Sequence, residues 1–239
     1  MATENTAVTA NGKVYWVPLE SSPESMTKMV HSLGADQAVA FSDVWGLDED
    51  LLAMVSQPVH ALIFLFPSLP DFTAKRKAEA ESSDNSVAPS VWFMKQTVGN
   101  ACGTMAVMHA LGNTQSVIPM EGALAEFFAR TKDLSPPERG AALENSQSIA
   151  SEHAKSAAEG QTAAPAADAS IDHHYVAFVK VDGHLYELDG ALSAPINHGP
   201  STDVLRDGAR AIQARIKQLP SDSLDFSVIA LGADPNSQA

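Results

Sequence analysis

Cys102 is the one cysteine in 239 residues, and its surroundings suit a nucleophile. Asn100 reads as the N-cap of a helix from Ala101 to about Leu111, stopped by Gly112 and Asn113, so Cys102 falls at a helix N-terminus. There the positive end of the helix dipole and the free N–H groups favour thiolate over thiol. Gly99 and Gly103 leave the backbone open to a substrate carbonyl. The Cys102 N–H can help bind an oxyanion, and Gln96 offers a neutral amide donor to complete the hole. The competing reading is a buried cysteine packed as a small hydrophobe.

A thiol nucleophile needs a base, and the base needs an orienting group. Eight histidines are present, and a hairpin chooses among them. Tyr175–Val181 and His184–Leu188 read as strands around Asp182-Gly183, a type I′ turn signal. A two-residue turn pairs Val181 with His184, which sets Val176 opposite Asp189 and His174 one diagonal step away on the same face. His173 then points to the other face. His174 is the candidate base and Asp189 its orienter; a turn one residue longer would reverse the parity. His109 reads as a packed helix residue. Asp182, Glu187 and Asp189 could mimic a metal site, but no ligand spacing around the histidines supports one, and no cofactor is expected.

The elements that must position these groups alternate along the chain. Residues 1–12 read as a disordered tail, and Lys13–Pro18 as a strand. Ser21-Ser22-Pro23-Glu24 opens a helix carrying Met26, Met29, Val30 and Leu33, which Gly34 stops. Ala38–Val44 reads as a strand, Asp48–Val55 as a short helix and Val59–Phe66 as a buried strand. Further helices are expected near Ala74–Glu81, Met120–Thr131, Glu138–Glu144 and Thr202–Leu219, with a last strand at Phe226–Leu231. Asn145–Ser170 holds almost no large apolar side chain and reads as a mobile loop of the kind used as a lid or binding loop. The class is α/β or α+β, one domain over residues 13–232, with a short tail at 233–239.

Composition excludes several functions. One cysteine cannot form an internal disulfide or a four-cysteine zinc site. A formal charge of −14 disfavours nucleic acid. No apolar run is long enough to span a bilayer, and the polar N-terminus shows no signal peptide, so a cytosolic or nuclear protein without membrane contact is expected. Lys75-Arg76-Lys77 reads as solvated surface rather than a nuclear signal.

Gln96-Thr97-Val98-Gly99-Asn100-Ala101-Cys102-Gly103-Thr104 resembles the active-site signature of the ubiquitin C-terminal hydrolases, and HHYVAFVKVDGHLYELDG, His173 to Gly190, is similar to their histidine and aspartate segment. Trp16 to Ser21, Phe41 to Val44, the strand ending Leu65-Phe66-Pro67, and Pro195 to Gly199 extend the likeness across nearly the whole chain. The resemblance implies Cys102 as nucleophile, His174 as general base and acid, Asp189 as orienter and Gln96 as oxyanion-hole donor. It also implies substrate contacts at Leu19, Glu20 and Asn100. The implied fold is a papain-like core: a central antiparallel sheet flanked by helices, a knotted backbone, and an active-site crossover loop at 145–170 that limits leaving-group size.

The implied activity is thiol-dependent hydrolysis at the C-terminal glycine of ubiquitin, or of a ubiquitin-like relative, by a small monomeric member of the family. Rival readings are a module that sequesters ubiquitin without turnover and a papain-like acyltransferase. Residues 1–60 carry net −6 and residues 131–170 net −3. A basic ubiquitin tail would be drawn to them at rates that fall with salt.

Overall fold

The computed structural model describes residues 6–9, 12–160, 165–220 and 225–237. In chain order the elements are β1 (Thr6–Val8), β2 (Val14–Trp16), α1 (Pro23–Leu33), β3 (Val39–Asp43), α2 (Glu49–Leu52), β4 (Val59–Pro67), α3 (Pro70–Ala80) and α4 (Cys102–Gly112). Then follow α5 (Gly122–Thr131), α6 (Pro136–Glu144), α7 (Gln147–Ala158), β5 (His173–Val181), β6 (His184–Leu188), β7 (Ile196–Pro200), α8 (Val204–Ile216) and β8 (Ser227–Ala233).

Strand β4 explains the layering. Its side chains alternate between two apolar environments, and so do those of β5, as the period of a strand requires. Ala61, Ile63, Ala177 and Val179 face one core, shared with the buried residues of α1, α4, α5 and α7. Leu62, Phe64, Phe66, Val176 and Phe178 face another, shared with Val204, Leu205, Ala209 and Ile212 of α8. Between the two lies a six-stranded sheet in the order β3-β8-β4-β5-β6-β7, every pairing antiparallel. A central antiparallel sheet flanked by helices is the expected architecture. Helix α4 is buried along its whole length, Cys102 to Gly112, as an all-round apolar helix must be.

The hairpin forms with the expected register. Val181 pairs with His184 and Ala177 with Leu188. Asp182 and Gly183 take φ of 49° and 76°, the left-handed values of a type I′ turn.

Four expectations need correction. Within the 1–12 tail, Thr6–Val8 is a strand paired with Val14–Trp16; residues 1–5, 10 and 11 lie outside the described residues. At the other end β8 reaches Ala233, and the Asp234 N–H bonds the Ala38 carbonyl, so the 233–239 segment begins inside the sheet; residues 238–239 lie outside the described residues. Within the presumed mobile loop 145–170, residues Gln147–Ala158 form α7. Ile149, His153 and Ala157 are buried at i, i+4 and i+8, one helical stripe that packs where α1 covers the first core. Small residues allow that close approach, and their polarity hid the stripe; residues 161–164 lie outside the described residues.

The fourth correction is Arg76. It is 1% exposed rather than solvated, because Phe72, Arg76 and Ala80 form the inward stripe of α3. Lys75 and Lys77, on either side, are the exposed members of the basic run.

Candidate active site

Cys102 is the first residue of α4, and Ala101, not Asn100, is its cap. Asn100 is left-handed, φ 57°. Its side chain donates to the carbonyls of Ala167 (2.8 Å) and Ala169 (2.9 Å), so it holds the segment that leads into β5. The cap expectation fails because that bond uses the side chain elsewhere. Cys102 still stands at the head of the helix, where the first N–H groups lack intrahelical acceptors. Packing requires Gly99, where a Cβ would stand 2.2 Å from the Tyr15 ring, and favours Gly103, where one would make a tight 3.2 Å contact with Leu19. The arm running from β2 to α1 therefore lies flat against the nucleophile segment.

His174 and Asp189 meet as the hairpin parity requires. His174 Nε2 lies 2.7 Å from Asp189 Oδ1, which also accepts the Ala191 N–H at 2.8 Å. With Nε2 engaged, Nδ1 is the ring nitrogen left to exchange a proton with Cys102, whose side chain acts on the charge of the ring. Phe66, the cross-strand partner of His174, packs edge-on against the imidazole, ring centroids 5.8 Å apart. Burial works against a charged imidazole here. The Asp189 charge, its hydrogen bond and the Cys102 side chain outweigh it and push the His174 pKa up to about 10. Burial alone would raise Asp189, yet the charges of His174 and Arg76 hold its carboxyl far below the usual range.

Arg76 is the residue that sequence reasoning missed. Its Nη2 forms an ion pair with Asp189 Oδ2 at 2.7 Å, and its Nε donates to Glu187 Oε1 at 2.6 Å. The guanidinium lies over the Phe66 ring, 5.0 Å from its centroid. Glu187, far from imitating a metal ligand, also accepts from Arg215 Nε (2.9 Å) and contacts His198 Nε2 (2.9 Å). Arg215 in turn grips Glu79 through two bonds, 2.9 and 2.6 Å. The orienting carboxylate is thus one end of a buried chain of alternating charge. The i, i+4, i+8 stripe of α3 is the signal that could have found Arg76, had an arginine been allowed on an inward face.

Gln96 is placed by the loop that follows Asp189. Its N–H bonds the Gly190 carbonyl at 2.9 Å. Its side-chain Nε2 donates to the Val98 carbonyl at 2.9 Å, while Oε1 is buried without a partner among the described residues. A cleft of about 410 Å³ opens over Cys102, with Leu19, Glu20, Gly160, His173 and Tyr175 among its walls. His173 thus points into the cleft, on the face opposite His174. His109 is fully buried on α4 against the Met94 backbone, a packed helix residue as expected. No group of three His, Cys, Asp or Glu side chains among the described residues is placed to hold a metal ion.

A thiol at a helix head that lines a cleft, with an imidazole held by a carboxylate, can carry out acyl transfer through a thioester. Comparison with known proteins gives that chemistry a family. The family model described as ubiquitin carboxyl-terminal hydrolase, family 1, matches residues 16–217. A ubiquitin carboxyl-terminal hydrolase of Aplysia californica is 42% identical over 202 residues, 83% of this chain and 93% of that protein. Ubiquitin carboxyl-terminal hydrolase 3 of Arabidopsis thaliana is 39% identical over 236 residues, 95% and 97% of the two chains. Among solved structures, the catalytic domain of Trichinella spiralis UCH37 bound to ubiquitin vinyl methyl ester superimposes with a TM-score of 0.75 at 29% identity, covering 92% of this chain and 95% of that one. This chain belongs to the ubiquitin carboxyl-terminal hydrolase family and is a cysteine peptidase.

Proposed function

We propose that this protein hydrolyses the bond following the C-terminal glycine of ubiquitin, with Cys102, His174, Asp189 and Gln96 as its catalytic set. The observation that carries the reading is the His174 Nε2–Asp189 Oδ1 bond of 2.7 Å, with Cys102 lining an open cleft. With a pKa near 10, His174 holds its proton at neutral pH and pairs with the Cys102 thiolate. The thiolate attacks the glycine carbonyl. The Cys102 N–H and the second N–H of Gln96 Nε2 stabilise the oxyanion, and His174 gives its proton to the leaving amine or thiol. His174 then takes a proton from water, and the thioester is hydrolysed.

Specificity follows from shape. Leu19, Glu20 and Tyr175 wall the cleft, and Asn100 fixes the segment that leads into β5. An extended tail ending in two glycines fits such a passage, and a tail with side chains is excluded. We assign the protein to the ubiquitin conjugation pathway as a monomer of the cytosol or nucleus, a setting that suits a lone reactive thiol. No helix among the described residues is long and apolar enough to cross a membrane.

A ubiquitin C-terminal fluorogenic amide tests the reading. Wild-type protein should release the fluorophore and Cys102→Ser should not. Gln96→Ala should lose about 2.7–4 kcal/mol of transition-state stabilisation, read in kcat. Ubiquitin binding without fluorophore release would instead mark a sequestering module, and an unchanged rate in Gln96→Ala would remove that residue from the oxyanion hole.

A further inference from the structure

His153, on α7, is 1% exposed, and the catalytic scheme makes no use of it. Both ring nitrogens are engaged: Nδ1 lies 2.7 Å from Thr104 Oγ1 and Nε2 lies 2.7 Å from the Val17 carbonyl oxygen. A carbonyl only accepts, so Nε2 carries the hydrogen and Nδ1 accepts from the Thr104 hydroxyl. The ring also packs on Trp16, centroids 4.6 Å apart. Burial, against the opposing hydrogen bond to Val17, pushes the pKa down to about 4, so this neutral tautomer persists at working pH.

Three parts of the cleft meet at this ring. Thr104 is in the first turn of α4, two residues after Cys102. Val17 leads into the arm whose Leu19 and Glu20 wall the cleft. Helix α7 ends beside another part of the cleft wall, at Ala157 and Gly160. The two walls nearly touch: a Cβ on Gly160 would lie 2.7 Å from Glu20 Oε2. Other polar ties near the end of α7 run to α1, at Ser156–Ser25 (3.4 Å) and Lys28–Glu159 (3.6 Å), and do not reach the nucleophile helix.

We propose that His153 is a positioning residue: by joining α7 to the arm and to the first turn of α4, it sets the width of the cleft over Cys102. The inference rests on the ubiquitin reading above. Its consequence is that His153 governs how tightly an extended tail is held and how bulky a leaving group can pass, without touching the reacting atoms. Breaking the bridge leaves Cys102, His174 and Asp189 in place but lets α7 drift from the arm.

The test uses the full chain and two readouts. One is kcat and KM for a ubiquitin C-terminal fluorogenic amide. The other is the rate on that amide relative to cleavage of ubiquitin fused to a folded domain. His153→Ala should raise KM about tenfold with kcat within about threefold of wild type, and shift the ratio toward the fusion. His153→Gln can place its amide N–H where the imidazole Nε2–H stands, keep the Val17 bond and recover most of the KM. Thr104→Val, similar in shape but lacking the hydroxyl, should show a smaller KM rise and covers the case in which His153→Ala does not fold. Variants that melt earlier yet keep wild-type KM and ratio would reduce the ring to core packing and overturn the inference. Wild-type protein inert toward the amide would overturn the functional reading instead.

Discussion

The two faces of the central sheet treat buried histidines in opposite ways. On the α4 and α7 side, His109 and His153 are enclosed by apolar groups, backbone and, for His153, the Thr104 hydroxyl, and burial pushes both down to about 4. At the start of β5, His174 is partly enclosed, 18% exposed, yet it is pushed up to about 10. The difference is one carboxylate. Asp189 faces His174 directly, and the charge of His174, with that of Arg76 behind it, keeps the carboxylate ionised. Burial by itself makes a neutral, structural histidine; burial beside a supported anion makes one that holds a proton at neutral pH. The carboxylate that sets the charge of His174 therefore leans in part on an arginine buried in the core.

The largest expected effect comes from erasing the difference. Asp189→Asn keeps the shape but removes the charge, so His174 should become like His153, and kcat on a ubiquitin amide should fall by ~10⁴-fold. Imidazole NMR titration of the variant should show the His174 pKa falling from its raised value. A loss of less than tenfold would break the comparison.

Next comes the support. Arg76→Ala leaves Glu187 and Asp189 buried without their shared cation, and the unfolding free energy in urea should drop by about 3–5 kcal/mol. A change below about 1 kcal/mol would show that Arg215 and His174 suffice to neutralise the pair.

The smallest effect, read over a single pH unit at one histidine, is in the pH dependence of stability, and its sign differs between the faces. His109 and His153 have folded pKa values below that of the unfolded chain. Their contribution is therefore complete above pH 6.5 and is lost as pH falls from 6.5 toward 4. That loss should run at roughly 1.4 kcal/mol per pH unit for each histidine. His174 has a raised folded pKa, so its contribution is complete below pH 6.5 and is lost as pH rises toward 10. Urea unfolding across this range should show both limbs, with His153→Gln flattening the acid one. An acid limb that His153→Gln leaves unchanged would contradict the assignment.

Most of the site was legible because it depends on local rules. The Asp182-Gly183 turn fixes a two-residue period, and that period alone brings His174 to Asp189. The glycines around Cys102 read as openings for a substrate carbonyl, whereas Tyr15 and Leu19 of the arm pack against them. What escaped reading depends on distant partners. Asn100 looks like a cap until the segment that leads into β5 offers it two carbonyls. Arg76 looks solvated until Glu187 and Asp189, more than 100 residues later, supply its counter-charges. Helix α7 is too poor in large apolar residues to declare itself, and His153 is stable inside only because Thr104 and Val17 satisfy both nitrogens. Polar residues at helical spacing count as core once their partners are known.

The central claim is that Cys102, poised by His174 and Asp189, attacks the carbonyl end of ubiquitin's tail. Reaction with ubiquitin vinyl methyl ester, read by intact and peptide mass, tests it most directly, because the chain has one cysteine. The account predicts a single ubiquitin adduct that maps to Cys102, is absent in Cys102→Ser and forms far more slowly in Asp189→Asn. An unmodified wild-type protein, or an adduct that survives Cys102→Ser, would contradict it.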